Sequence, residues 1–451
     1  MSGRPVTPPI PGKSVLRSRI ESVLHLMTGS VGNAVVMIGS IAFATRALGP
    51  EAFGILAMTL AVGRVCERIV RFESWQPLVR YAATEEGASD PERMSRLYLF
   101  GLLLDVAGAS VAALLTVIVG FLLTATFGFP EEMMPLVAIY AIAIALNLRG
   151  MSSAVMRMAG MFRTMAYIVF IAGFLRLALA GIFYWAGSGL MTFVWVWTIS
   201  QVVDALLYNY IGFRQLARQG TPSPLRARID NLMQDFPGFL GFAFTTNASS
   251  ALRTITHEAD TLIVGALTDS SEAAGFYHIA KRMAKVAMAC GEMIQMVVYP
   301  DLARLWASNI TETFRKTVVG VQSLLGLIAG GILVVAYLIG KPLVALAFGA
   351  AFTPAYAILM AHLVAVFLIM HSAPARSALL AMNRPGYVLM TATCSTVLFL
   401  GIALYAIPAY GAIGASMAHI GFGALTALLL DLSMWRNLNR QMADRETAEA
   451  T

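Results

Sequence analysis

Residues 53–75 read FGILAMTLAVGRVCERIVRFESW, an apolar run of membrane length that carries charges inside it. Four of its charged residues recur at spacings of three and four, so on a helix they share one face. They are Arg64, Glu67, Arg68 and Arg71. At about 1.5 Å per residue, Arg64 lies about 17 Å along the helix from Phe53, near the middle of a hydrocarbon core about 30 Å thick. An ionised arginine there costs at least about 2.5 kcal/mol against lipid, so we expect this face to line protein or water.

Two interpretations of this polar face remain open. In the first, it lines the path of a transported molecule, because ionisable residues inside a membrane usually mark such a path. In the second, Glu67 pairs with Arg64 and Arg71 and holds two helices together.

The composition indicates a polytopic membrane protein. Of the 451 residues, 58% are hydrophobic and only 13% are charged, whereas a soluble protein carries roughly a quarter charged residues. The net charge is +7, but the basic residues occupy short connections between apolar runs, and no basic tract with interleaved aromatics appears. We therefore expect no nucleic-acid partner. The three cysteines have no metal-ligand spacing, so no metal site is expected.

The expected fold class is all-α, with twelve transmembrane helices in two six-helix lobes. Basic residues concentrate on alternate connections, so both termini are expected to be cytoplasmic by the positive-inside rule. The expected divisions are a cytoplasmic N-terminal segment with an interfacial helix (1–21), a first lobe (22–213), a central cytoplasmic loop (214–236), a second lobe (237–434) and a cytoplasmic tail (435–451).

A short self-similarity links the two halves of the chain. The turn that ends at Gly54 resembles the turn that ends at Gly275, with two extra residues in the second. Aligning these glycines puts Arg64 opposite Lys285. Six spans is an even number, so the two halves would share an orientation and be related by an axis along the membrane normal.

Basic residues inside the second, seventh and eighth spans predict a central cavity that binds an anionic group. A guanidinium suits phosphate because its planar fork donates two hydrogen bonds at once. The candidates for substrate binding are Arg64, Arg68, Arg71, Arg253, Lys281 and Lys285. The alternative is that these residues form ion pairs between the lobes. Asp105, Arg176 and Asp204 are expected to pair across spans of the first half and to have structural roles.

Four further residues are candidates for binding a coupling proton or Na⁺, because buried carboxylates and imidazoles exchange protons. They are Glu67, Glu258, Asp260 and His257. We expect no cofactor, and no nucleophile with a base partner is evident, so no catalytic residue is assigned and an enzyme is not expected.

Three stretches carry a family resemblance. ATRALGPEAFGILAM (44–58), DTLIVGAL (260–267) and AAGFYHIAKRM (273–283), together with spans split six and six, resemble the Wzx-like polysaccharide flippases of the multidrug/oligosaccharidyl-lipid/polysaccharide (MOP) exporter superfamily. In related lipid flippases, cations in the first, second and eighth spans bind pyrophosphate. Arg64 and Arg68 match the second span here, and Lys281 and Lys285 match the eighth, while the first has Asn33 and no buried arginine.

The resemblance implies a mechanism of alternating access, in which two lobes enclose a cationic cavity. The implied cargo is an undecaprenyl-pyrophosphate-linked oligosaccharide, moved from the cytoplasmic to the periplasmic leaflet of a bacterial inner membrane. The implied partners are this lipid-linked oligosaccharide, membrane lipids and the polysaccharide polymerase and assembly machinery. Two alternatives stay open: a cation-coupled multidrug antiporter of the same superfamily, and, from another class, a membrane glycan polymerase or ligase.

Overall fold

The regular structure of the chain is helical wherever it is described. The computed structural model describes residues 13–71, 74–85, 90–245, 247 and 258–449. Two predicted site residues, Arg253 and His257, lie outside these ranges, as do residues 1–12 of the predicted N-terminal segment. Within the described ranges, eight helices are long and apolar enough to cross a membrane. The all-α membrane fold is therefore confirmed, while the number of twelve spans and their orientation stay predictions.

The first half of the chain begins with one long helix that is broken near its middle. At Gly49 the backbone takes φ 72° and ψ 177°, and Pro50 follows, so the first two predicted spans join at this turn. The helices of this half are α1 (Lys13–Val70), α2 (Trp75–Glu85), α3 (Pro91–Thr126), α4 (Met133–Ala145), α5 (Gly150–Met158), α6 (Phe162–Trp185) and α7 (Leu190–Arg218).

The fourth predicted span, at about residues 133–155, is not one continuous helix. It is divided into α4 and α5, with residues 146–149 between them. This break supplies two residues of the site described below.

The second half follows a connection that packs on the first half. In this connection Phe236 is buried and its ring lies edge-on to that of Tyr81, with centroids 6.4 Å apart. The helices here are α8 (Leu232–Asp235), α9 (Asp260–Thr268), α10 (Ser271–Ala307), α11 (Thr311–Phe348), α12 (Ala355–Ala381), α13 (Pro385–Tyr410) and α14 (Ala412–Glu449). α10 begins where the hydroxyl of Ser270 accepts from the backbone N–H of Ala273 at 3.2 Å, as a helix cap does.

The two halves meet where α1 and α10 cross, and the contact joins the two glycines that the sequence repeat aligns. A Cβ on Gly54 would lie 1.7 Å from the carbonyl oxygen of Ser271. A Cβ on Gly275 would lie 2.9 Å from the carbonyl oxygen of Pro50 and 3.2 Å from the Cα of Gly54. Only glycine permits this approach of the two backbones at either position.

Gly54→Ala should therefore weaken the close contact between α1 and α10. The added methyl meets a backbone oxygen and not a flexible side chain, so α1 and α10 must separate, at a cost of about 1–3 kcal/mol. We expect a lower thermal unfolding midpoint of the detergent-purified protein. Gly320→Ala is the matched control, because a Cβ at Gly320 would meet nothing within 4 Å. Equal midpoints for the two variants would contradict the assignment.

Candidate functional site

A cavity of about 310 Å³ lies among the helices of the first half and against α10. Its lining comes from α1, α4, the break after α4, α6, α7 and α10. The charged lining residues are Arg64, Glu67, Arg149, Arg176, Asp204 and Arg282. Four arginines thus face two carboxylates, and the cavity is suited to an anion.

The break between α4 and α5 is held open by a buried carboxylate. Asp105 is only 4% exposed, and its Oδ2 accepts from the backbone N–H of Met151 at 2.7 Å, in the first turn of α5. Its Oδ1 accepts from the Ser74 hydroxyl at 2.5 Å. A Cβ on Gly150 would lie 2.1 Å from the Ser74 oxygen, so glycine is required at that position. Broken helices of this kind line binding sites in transporters.

The break turns Asn147 toward α1. Its Nδ2 donates to Oε1 of Glu67 at 2.6 Å, and Arg71 donates to the same oxygen at 2.6 Å. Glu67 therefore holds one cation and one amide in this conformation. The predicted pair of Glu67 with Arg71 is thus present, but the predicted pair of Glu67 with Arg64 is not, because Arg64 pairs with Glu258.

The break also places Arg149 beside α7. Its Nη1 lies 2.5 Å from Oδ2 of Asp204, a residue that is 7% exposed. Nearby, the hydroxyl of Tyr140 donates to Oε1 of Gln201 at 2.8 Å. Both pairs join residues that line the cavity. Its wall therefore carries hydrogen-bonding groups as well as charge.

Arg64 connects the two halves of the protein. Its Nε lies 3.0 Å from Oε2 of Glu258, which precedes α9. Both side chains are mostly buried, at 21% and 15% exposure. This pair supports the interpretation of an ion pair between the halves, and Arg64 also lines the cavity. Arg64 is thus compatible with both interpretations of the charged face, as lining of a transport path and as an ion pair between the halves.

Two arginines of the cavity have no carboxylate partner within 4 Å in the part of the chain that the structure describes. Arg176 donates to the Ser200 hydroxyl at 3.1 Å and lies over the Trp197 ring, 5.9 Å from its centroid. Arg282 donates to Nε2 of His278 at 3.3 Å and contacts the sulfur of Met37 at 3.7 Å. Their charges are therefore the ones that an anionic ligand would best neutralise.

A second polar cluster is buried in the other half. Asp260 is 1% exposed, and its Oδ1 lies 2.5 Å from the ammonium of Lys281. Its Oδ2 accepts from the Tyr277 hydroxyl at 2.7 Å and lies 3.2 Å from Nε2 of His419. Asp260 is thus surrounded by partners, and Lys281 is directed to it.

The structure brings together only some of the predicted site residues. Arg64 and Glu67 line the cavity, while Arg71 contacts Glu67. Lys281, Lys285 and Arg68 are not among the described residues that line it. Lys281 is held by Asp260, and Lys285 is exposed. The assignment of these six cations to the ligand stays a prediction for each residue.

The sequence did not predict that four of the charged residues line this cavity: Arg149, Arg176, Asp204 and Arg282. Asp204 and Arg176 were expected to pair structurally, yet Asp204 pairs with Arg149 and both Arg176 and Asp204 line the cavity. A signal was present in residues 147–150, which read NLRG inside an otherwise apolar span. A polar pair followed by glycine indicates a helix break.

Comparisons with known proteins agree with this fold. The sequence matches the family described as "Polysaccharide biosynthesis protein" over residues 43–357. Inner membrane protein YghQ of Escherichia coli (strain K12) is 24% identical over 344 residues, covering 75% of this chain and 95% of that protein.

Two solved structures show the fold. An inward-facing multidrug resistance MATE family transporter of the MOP superfamily superposes with a TM-score of 0.67 at 14% identity, covering 92% of this chain and 94% of that one. The lipid II flippase MurJ, in an inward closed conformation, gives a TM-score of 0.66 at 14% identity, covering 91% and 86%. At 14% identity both likenesses show the fold alone, which is the one that the multidrug transporter and the lipid flippase share.

Proposed function

The chain belongs to the polysaccharide biosynthesis protein family, and from this premise we propose that it is a flippase for a lipid-linked oligosaccharide. The proposed cargo is an undecaprenyl-pyrophosphate-linked glycan, moved from the cytoplasmic to the periplasmic leaflet by alternating access. The proposed location is a bacterial inner membrane, in support of which the Escherichia coli relative is named an inner membrane protein. The glycan would serve the synthesis of O-antigen, capsule or exopolysaccharide, and polymerase and assembly proteins would be partners.

One observation carries the proposal: the cavity holds four arginines against two carboxylates. Arg176 and Arg282 face it without a carboxylate partner in the described chain. A pyrophosphate supplies the missing negative charge and accepts the bidentate hydrogen bonds that guanidinium groups donate. A cationic drug would meet repulsion in the same cavity.

The cavity solves a physical problem that such a cargo poses. The sugar and pyrophosphate must cross about 30 Å of hydrocarbon, which excludes charge and unsatisfied hydrogen-bonding groups. A polar cavity between helices shields the head group while the polyprenyl tail stays in lipid. No covalent chemistry is needed for this movement.

Binding of the cargo would also bias the conformation. Arg64 is bound to Glu258 across the two halves, at 3.0 Å, and a pyrophosphate in the cavity would compete for the same guanidinium. We propose that this competition loosens the contact between the halves. An effector can shift an equilibrium only through such a difference in contacts between the two states.

Coupling to H⁺ or Na⁺ is proposed for the carboxylates that the sequence indicated. Each is ion-paired in this conformation: Glu67 with Arg71, Glu258 with Arg64, and Asp260 with Lys281. A proton taken up by one of them would release its cation. Asp260 is the most deeply buried of the three.

A second candidate function is a cation-coupled multidrug antiporter, which the likeness to the MATE transporter favours. The cationic lining opposes it. The two functions predict opposite preferences for the charge of the cargo, so one experiment separates them.

The test is leaflet-to-leaflet movement of a fluorescent undecaprenyl-pyrophosphate oligosaccharide in proteoliposomes. We expect movement with the native protein and a loss of about tenfold in Arg176→Ala, since a hydrogen bond to a charged group contributes about 1.5–3 kcal/mol. Arg163→Ala is the matched control, because Arg163 lies on the same helix but is exposed and contacts Tyr167. Efflux of a cationic dye without lipid movement would overturn the proposal.

A further inference from the structure

Three residues that line the cavity each carry one buried polar atom without a hydrogen-bond partner among the described residues. These atoms are Nη2 of Arg64, Oδ1 of Asn147 and Nδ1 of His278. A buried polar atom without a partner is destabilising, so such atoms on residues that line a cavity indicate which groups a ligand would supply. Arg282 donates to Nε2 of His278, so Nδ1 of the neutral ring carries the hydrogen and is a donor. All three atoms therefore have fixed roles.

The role of Asn147 is fixed by its neighbour. A carboxylate only accepts, so the group that Asn147 directs to Oε1 of Glu67, at 2.6 Å, must be its NH₂. The side-chain carbonyl of Asn147 is consequently the group without a hydrogen-bond partner among the described residues. Asn147 is 3% exposed, so bulk water does not satisfy that oxygen. The site therefore lacks a donor at Asn147 and an acceptor at Arg64.

A pyrophosphate alone cannot meet both needs. Its ionised oxygens accept from Arg64, but they have no hydrogen to donate to the carbonyl of Asn147. A sugar hydroxyl or an acetamido N–H does. Arg64 and Glu67 are three residues apart on α1, which places their Cβ atoms about 5–6 Å from each other. That separation suits a phosphate and the sugar attached directly to it.

We propose that Asn147 recognises the first sugar of the lipid-linked glycan by accepting a hydrogen bond from a hydroxyl or acetamido N–H. This inference rests on the proposed function. Glu67 acts through Asn147 as a positioning residue, because its carboxylate sets which end of the amide faces away from α1. The break after α4 is what brings Asn147 to this place.

The experiment compares two probes on the full chain in lipid nanodiscs. One probe is undecaprenyl pyrophosphate, and the other is the same lipid carrying N-acetylglucosamine. In Asn147→Leu, which removes both polar groups at similar volume, affinity for the sugar-bearing lipid should fall about tenfold. Affinity for the sugar-free lipid should be unchanged. Asn209→Leu is the control, since Asn209 contacts Ser152 on the same lobe and is not among the described residues that line the cavity.

Other outcomes overturn the inference in distinguishable ways. An equal loss for both probes, or no loss for either, would make Asn147 structural or satisfied by water, while the proposed function stands. If the native protein binds neither probe, the proposed function fails as well. Glu67→Gln tests the positioning role, because a glutamine no longer dictates the orientation of Asn147. We expect it to lower the ratio of the two affinities, a quantity that general destabilisation does not change.

Discussion

Replacing Arg64 and Arg282 together with alanine is expected to reduce the transport of a lipid-linked oligosaccharide by at least about 100-fold. Both guanidinium groups line the cavity, and they reach it from the two halves of the chain. Each charged hydrogen bond to a phosphate contributes about 1.5–3 kcal/mol, so the loss of two corresponds to about 3–6 kcal/mol. The measurement is the initial rate of fluorescent lipid movement in proteoliposomes at matched protein content.

Two further variants separate binding from folding. Arg64→Ala leaves Glu258 without its partner, so Glu258→Gln is added to remove the uncompensated charge. Arg304→Ala is the matched control for Arg282 on α10, because Arg304 is 56% exposed and pairs with Asp301. Native transport in the Arg64 and Arg282 double variant would show that the cavity is not the cargo site.

Asp260→Ala is expected to lower the free energy of unfolding by about 3–5 kcal/mol. Asp260 is 1% exposed and Lys281 11%, and they form an ion pair at 2.5 Å. Removing the carboxylate leaves a buried ammonium and the hydroxyl of Tyr277 without their acceptor. Breaking one side of a buried ion pair costs far more than the pair itself contributes. Chemical unfolding of the detergent-purified protein measures the change.

The double variant Asp260→Ala with Lys281→Met provides the control. It removes both charges and keeps apolar volume, so most of the lost stability should return. A double variant as unstable as Asp260→Ala would show that the ion pair is not the cause. If the double variant folds but no longer responds to a proton gradient during transport, the pair of Asp260 and Lys281 takes part in the coupling. Gradient-driven transport at the native rate would exclude it.

Much of the fold follows from local chemistry. The apolar runs, the sparse charge and the turns at Gly49 and before Gly275 predict an all-helical membrane protein with two related halves. The mid-depth position of Arg64 predicts its exposure to a cavity, because an arginine facing lipid there would be too costly. Glu67 and Arg71 meet as their four-residue spacing predicts.

The spacing of residues in the sequence could not predict which distant residues form ion pairs with each other. Lys281 lies in a helix as predicted, but its side chain forms an ion pair with Asp260, twenty-one positions earlier, and does not line the cavity. Arg149 pairs with Asp204, which is 55 positions away. Hydrophobic periodicity describes which face a residue occupies, and it contains no information on which other helix covers that face.

The sequence by itself therefore determined the class of protein, its helical construction and the presence of charge inside the membrane, because these depend on composition and on spacing within one helix. Tertiary structure decided which cations line the cavity. The break at residues 146–149 turns Asn147 and Arg149 into it, and the contact of Gly54 with α10 brings Arg282 against α1. Each of these placements depends on how helices far apart in the chain pack, and packing is a property of the assembled fold.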